Sequence, residues 1–150
     1  MRRLMMLGAL AATAVSLAGP ATAATTSHRV FYLAMKAGDC TTKATSKWYV
    51  VMPCSNGRHR FEVYAVVHGG WGTAPPSHTV AFARVKQLCT STFQRRFGGP
   101  IRAGYGWWAV WADVGVEAEK YGDRIVCALV RWPEHPPMGP GTHVRDAARR

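Results

Sequence analysis

Residues 53–68 read PCSNGRHRFEVYAVVH, and the fold turns on how this stretch is read. A cysteine follows a proline, a short polar bend comes next, and His59 and Glu62 then lead into an alternating run. The alternation over 61–68 predicts a strand. It sets Phe61, Val63, Ala65 and Val67 on one face and Glu62, Tyr64, Val66 and His68 on the other. Upstream, KWYVVMP at 47–53 has the β-branched and aromatic content of a strand that Pro53 brings to an end.

The same signals extend in both directions. RVFYLAM at 29–35 has strand character, and the chain then turns through Gly38 in KAGDC. GGWGTAPPS at 69–77 is a loop by composition. A helix is expected over 80–97, with Ser77 or Thr79 as its N-cap and Gly98-Gly99-Pro100 as its stop. At 100° per residue, Ala81, Val85, Leu88, Cys89, Thr92 and Phe93 share one side of that helix. Arg84, Gln87, Ser91 and Gln94 share the other. GWWAVWADV at 106–114 and RIVCALVRW at 124–132 read as strands, with a short helix or loop between them. The sum is an α+β fold: a small, mostly antiparallel sheet of four to five strands with one principal helix packed on it. The domain runs over 24–132, and the Pro/Gly-rich stretch 133–150 is expected to be a disordered tail.

The N-terminus bears on compartment. MRR is a short positive start, LMMLGALAATAVSL is apolar, and AGPATA is a small-residue exit. This three-part layout predicts a secretory signal peptide over 1–23, cleaved after Ala23, and no later run approaches transmembrane length. The expected product is secreted or extracellular, free or associated with the cell wall, with no membrane anchor after cleavage. Formal charge is +11, from 19 Lys and Arg against 8 Asp and Glu. Such a balance draws a protein to polyanions. The basic clusters are short, and no Lys/Arg block of nucleic-acid type appears.

Four cysteines remain in the expected mature chain: Cys40, Cys54, Cys89 and Cys127. An even number in an oxidising compartment predicts two disulfides. Structural zinc is the competing use, but its ligands usually come in close pairs, and none of these cysteines is closely paired. No metal and no cofactor are expected. Sequence permits three pairings. The preferred one joins Cys40 to Cys54, closing a local loop, and Cys89 to Cys127, tying the helix to a strand.

The order of these signals resembles a known family. GDC at 38–40, VMPCS at 51–55, His59-x-x-Glu62 flowing into VYAVV, a helical Cys89 and YGDRIVCALV at 121–130 occur in succession. This is similar to the septum-formation domain of actinobacterial envelope proteins, over roughly residues 36–131. The chain departs from that pattern in two places: Asn56-Gly57-Arg58-His59 replaces a compact Pro-His bend, and Glu119 stands where an aromatic is usual. The resemblance implies an exported or anchored protein near division or wall assembly, and brings no enzymatic activity with it.

Several residues are candidates for chemistry or binding. His59 and Glu62 would form an acid–base pair only if their side chains meet. On a straight strand, residues three apart point to opposite faces, so the bend must continue to Arg60 for them to do so. The alternative is a structural His59 bonded to local backbone. Gly38, Asp39, Gly122, Asp123 and Arg124 read as turn chemistry, with Asp39 or Asp123 also placed to pair with Arg124. In YGWWAVW, Trp107 and Trp111 share one face and Trp108 the other. One set is expected in the core. The other, if exposed, would offer aromatic surface beside Arg95, Arg96 and Arg102 for an anionic glycan or single-stranded nucleic acid.

The expected function is a non-catalytic, envelope-associated domain that binds a protein partner or an anionic wall polymer. The alternatives are a small secreted hydrolase using His59 and Glu62, and a basic inhibitor or toxin-like protein presenting loop 69–78.

Overall fold

The computed structural model describes residues 26–112 and 116–131. The signal peptide predicted over 1–23 and the tail predicted over 133–150 lie outside the described residues. The elements are β1 (His28–Phe31), a single 3-10 turn (Tyr32–Ala34), β2 (Cys40–Lys43), β3 (Trp48–Met52), β4 (Phe61–His68), α1 (His78–Phe97), β5 (Tyr105–Trp111), α2 (Val116–Tyr121) and β6 (Arg124–Arg131). All the strands join one antiparallel sheet in the order β1-β3-β2-β4-β6-β5. The α+β architecture with one principal helix is as expected, but the sheet has six strands rather than four to five.

The additional strand is β2, CTTK, which carries no apolar alternation. Its pairing comes from tertiary position: it lies between β3 and β4, and Cys40 sits opposite both Met52 and Glu62. The first expected strand, 29–35, is correspondingly shorter. It pairs with β3 only through Phe31, after which the 3-10 turn buries Leu33.

Helix α1 lies on one face of the sheet. Ala81, Val85, Cys89 and Phe93 recur every four residues and are buried, while Leu88 and Thr92 flank them half-buried. Each large apolar side chain buried this way is worth about 1.5–3 kcal/mol. Ser77 takes the N-cap position without a side-chain bond to the helix. At the other end Gly98, with φ 78°, adopts the left-handed conformation and donates its N–H to the Gln94 carbonyl.

The strict alternation expected for β4 fails at a bulge between Val63 and Ala65. Phe61, Val63 and Val66 pack with Tyr49 and Trp108, whereas Tyr64, Ala65 and Val67 pack beneath α1. The extra residue brings Ala65 onto the same side as Tyr64, whose hydroxyl donates to the Cys89 carbonyl at 3.0 Å. Arg96 from the last turn of α1 donates to the Tyr64 carbonyl, so a side chain meets the backbone group at the bulge.

The sheet is strongly coiled. Four strand spacings separate β3 from β5, which is about 19 Å across a flat sheet. The Tyr49 and Trp108 rings nevertheless lie 5.5 Å apart, with Phe61 4.8 Å from Trp108. The β1–β3–β2 half has curled over the β6–β5 half and buries its second face.

Both expected disulfides are present, Cys40–Cys54 and Cys89–Cys127. The second joins the middle of α1 to β6 beneath the helix, with both residues fully buried.

Candidate functional site

Three places concentrate polar or aromatic chemistry. The first is the corner at the start of β4. The bend continues through Arg60, whose N–H bonds the Thr41 carbonyl, and β4 begins only at Phe61. His59 and Glu62 are therefore not on one straight strand. A ring nitrogen of His59, a Glu62 carboxylate oxygen and Cys40 Sγ lie within 4.8 Å of one another. His59 is 0% exposed. Its Nδ1 donates to the Asn56 carbonyl at 2.7 Å, closing the bend on itself. The depression beside this disulfide, about 170 Å³, is lined by Asp39, Val51, Met52 and both cysteines, and neither His59 nor Glu62 borders it. A general acid–base must reach its substrate. This histidine is sealed from solvent.

The second place is the β4–β6 end of the sheet. Asp123 Oδ1 pairs with His68 Nδ1 at 2.7 Å, and Oδ2 accepts the Gly70 N–H at 2.7 Å. Partial burial pushes this carboxyl up. The bonds from His68 and Gly70, together with the His68 charge, outweigh it and hold the group below its ordinary range. Asp123 thus pins the start of loop 69–77 to the β6 turn. Gly122, at φ 60°, permits that turn. Asp39 accepts the Lys36 N–H at 2.7 Å, and Gly38, at φ 96°, donates its N–H to the Val63 carbonyl. Neither aspartate is the partner of Arg124, which instead donates to the Met35 carbonyl at 2.8 Å.

The third place lies between the C-terminal half of α1 and the start of β5. A cleft of about 220 Å³ opens there, lined by Thr90, Gln94, Ile101, Tyr105, Gly106 and Trp107. Tyr105 and Trp107, two apart on β5, both face α1 and line the cleft on either side of Gly106. All three tryptophans of β5 are half-buried, so neither face is wholly core and neither wholly exposed. Trp107 and Trp111 lie on the helix side, and Trp108, on the opposite face, packs against Tyr49 and Phe61. Trp107 and Trp111 lie near exposed Phe82, at 5.7 and 6.5 Å between ring centroids.

Comparisons with protein-family models, curated proteins and solved structures found no match to this chain. The site must be read from its own chemistry.

Charge is distributed unevenly around the cleft. Helix α1 contains no acidic residue, and Arg84, Lys86, Arg95 and Arg96 are all exposed on it. Arg95 follows Gln94 of the cleft wall, and exposed Arg102 follows Ile101. Arg95 bonds Thr92 Oγ1 at 3.0 Å and keeps its remaining donors. Arg96 is partly committed to the Tyr64 carbonyl, so it serves the bulge as well as the surface. Away from the cleft, Lys47 pairs with Glu117 at 2.7 Å, and Tyr32 bonds the same group. The Lys47 and Tyr32 bonds hold the Glu117 carboxyl below its ordinary range.

Sequence reasoning did not single out Tyr105, Gln94 or Thr90. Tyr105 stands two residues before Trp107, and Thr90 and Gln94 are one helical turn apart. What the sequence lacks is any sign that the α1–β5 connection would set those two features side by side.

Proposed function

We propose that this chain is an exported, non-catalytic cell-envelope domain that binds an anionic wall polymer at the cleft between α1 and β5. The observation that carries the reading is the acid-free α1, whose exposed Arg95 directly follows Gln94 of a cleft lined by Tyr105 and Trp107. Aromatic rings lining a cleft suit the apolar face of a sugar ring. Arg95 and Arg102 suit phosphate or carboxylate groups along the polymer. The two disulfides, and the absence among the described residues of a helix long and apolar enough to cross a membrane, are compatible with export. The ordered motifs that resemble the septum-formation family support a place near division or wall assembly.

A protein partner is the second reading, favoured by one observation. β5 ends the sheet, so its outer edge is unpaired by any described strand, and exposed Phe82 stands beside it. The burial of His59 counts against the hydrolase reading.

Co-sedimentation with a purified phosphate-bearing wall polymer tests the proposal. The parent chain is expected to pellet at low salt and to be released near 1 M salt, where the Debye length is about 3 Å. A basic residue beside an anionic surface contributes roughly 1 kcal/mol. Arg95→Ala with Arg102→Ala should therefore weaken association about thirtyfold. Equal pelleting of parent and variant at every salt concentration contradicts the polymer reading.

A further inference from the structure

The corner where β2 meets β4 holds chemistry that polymer binding leaves unused. Cys40 Sγ, a His59 ring nitrogen and a Glu62 carboxylate oxygen lie within 4.8 Å of one another, and Cys54 is bonded to Cys40. His59 is fully buried, with Nδ1 bonded to the Asn56 carbonyl and Nε2 left with no hydrogen-bond partner. A proton on Nδ1 that serves the carbonyl leaves the lone pair on Nε2. Metal-binding histidines have this arrangement: one nitrogen is oriented by a backbone carbonyl, and the other is deprotonated and available.

While the disulfide is intact, neither sulfur can act as a thiolate ligand. We propose that reductive opening of Cys40–Cys54 converts this corner into a zinc site with Cys40, Cys54, His59 and Glu62 as ligands. Zinc bonds of about 2.0–2.3 Å in a tetrahedron place the ligand atoms roughly 3.4–3.8 Å apart. Three of the four already stand within 4.8 Å, so side-chain adjustment of about an ångström brings those three to ligand spacing. The fourth, Cys54, follows Pro53 on the turn beyond β3 and is tied to the same place by its bond to Cys40.

The reduction is selective on steric grounds. Cys54 is half-buried, whereas Cys89 and Cys127 are each 0% exposed beneath α1. A thiolate reductant attacks Cys54 Sγ, forms a mixed disulfide there, and releases Cys40 as the thiolate beside His59 and Glu62. A second reductant thiol then attacks the mixed disulfide and frees Cys54, leaving the reductant as its own disulfide. In all, the two protein sulfurs gain two electrons and two protons. Zinc then displaces both protons when it binds the thiolates. The metal takes over the tie between β2 and the Pro53–Cys54 turn that the covalent bond had supplied.

The test titrates the full chain with Zn²⁺ and Co²⁺ before and after mild reduction by a phosphine. The phosphine takes oxygen from water and becomes its oxide as the disulfide opens. Mass mapping verifies that Cys89–Cys127 stays closed. The reduced chain should bind one metal ion and show a thiolate-to-cobalt charge-transfer band, and the oxidised chain should do neither. Cys54→Ser frees the Cys40 thiol without any reductant and should also bind one Co²⁺. Adding Glu62→Gln or His59→Gln to it should weaken binding by more than the roughly 10–100-fold that losing an outer-shell partner costs. The absence of 1:1 binding by the reduced parent overturns the proposal, as does binding indifferent to both added substitutions. The reduced parent carries no substitution, so it decides alone if a variant fails to fold.

Discussion

Replacing Cys89 and Cys127 together with alanine should lower the unfolding free energy by about 4 kcal/mol. The bond closes a loop across a sequence separation of 38, and a cross-link of that span removes about 4 kcal/mol of conformational entropy from the unfolded chain. Domains of this size are stable by about 5–15 kcal/mol in all, so the variant loses a large share of its margin. Its melting temperature should fall by roughly 15 °C. The matching change at Cys40 and Cys54, with a separation of 14, should cost about 3 kcal/mol on the same reasoning. Urea denaturation of both variants checks the order as well as the size. A Cys89/Cys127 variant within about 1 kcal/mol of the parent would mean that the cross-link does not restrain the unfolded chain as argued.

Phe93→Ala should be comparably severe. Phe93 is fully buried, its ring lies 5.3 Å from Tyr64 edge-on and 4.8 Å from Phe97, and it stands one helical turn beyond Cys89. Truncating a phenylalanine in such a place costs about 3–5 kcal/mol, because the lost contacts and the remaining cavity add. Two covalent and backbone ties frame the site: the disulfide on one side and the Arg96 bond to Tyr64 on the other. Those ties limit how far the core can collapse into the gap, which argues for the upper part of the range. Phe97→Ala, at a half-buried position, should cost clearly less. Denaturant midpoints of the two variants make the comparison. A Phe93 loss no larger than that of Phe97 would contradict the packing of α1 on the sheet.

Much of this architecture is legible in the chain because periodicity and cysteine spacing are local signals. The helix expected over 80–97 is observed as His78–Phe97, the strand at 61–68 keeps those bounds, and both sulfur pairs match. What escaped is set by tertiary contact. CTTK becomes a strand because β3 and β4 lie on either side of it, although its own residues show no pattern. The β4 bulge reverses the facing of Ala65 and Val67 relative to Phe61 and Val63. Alternation alone does not report an inserted residue. The tryptophans show the same limit. Their division into two faces is readable from the two-residue repeat, but whether Trp108 is covered depends on the sheet coiling until Tyr49 reaches it. The cleft is legible only in pieces: the helix stop at Gly98, the aromatics of β5, and the cations whose neighbours line it. His59 is the converse case. Its sequence context suggests chemistry, and its surroundings bury it against the Asn56 carbonyl.

The most direct measurement is disulfide mapping of the full chain, purified and digested without reduction and analysed by mass spectrometry. Peptides joining Cys40 to Cys54 and Cys89 to Cys127, with no free thiol, are the predicted result. Crossed pairs would contradict the account, because α1 could not then be tied to β6 over the face it covers; so would unpaired cysteines in the unreduced protein.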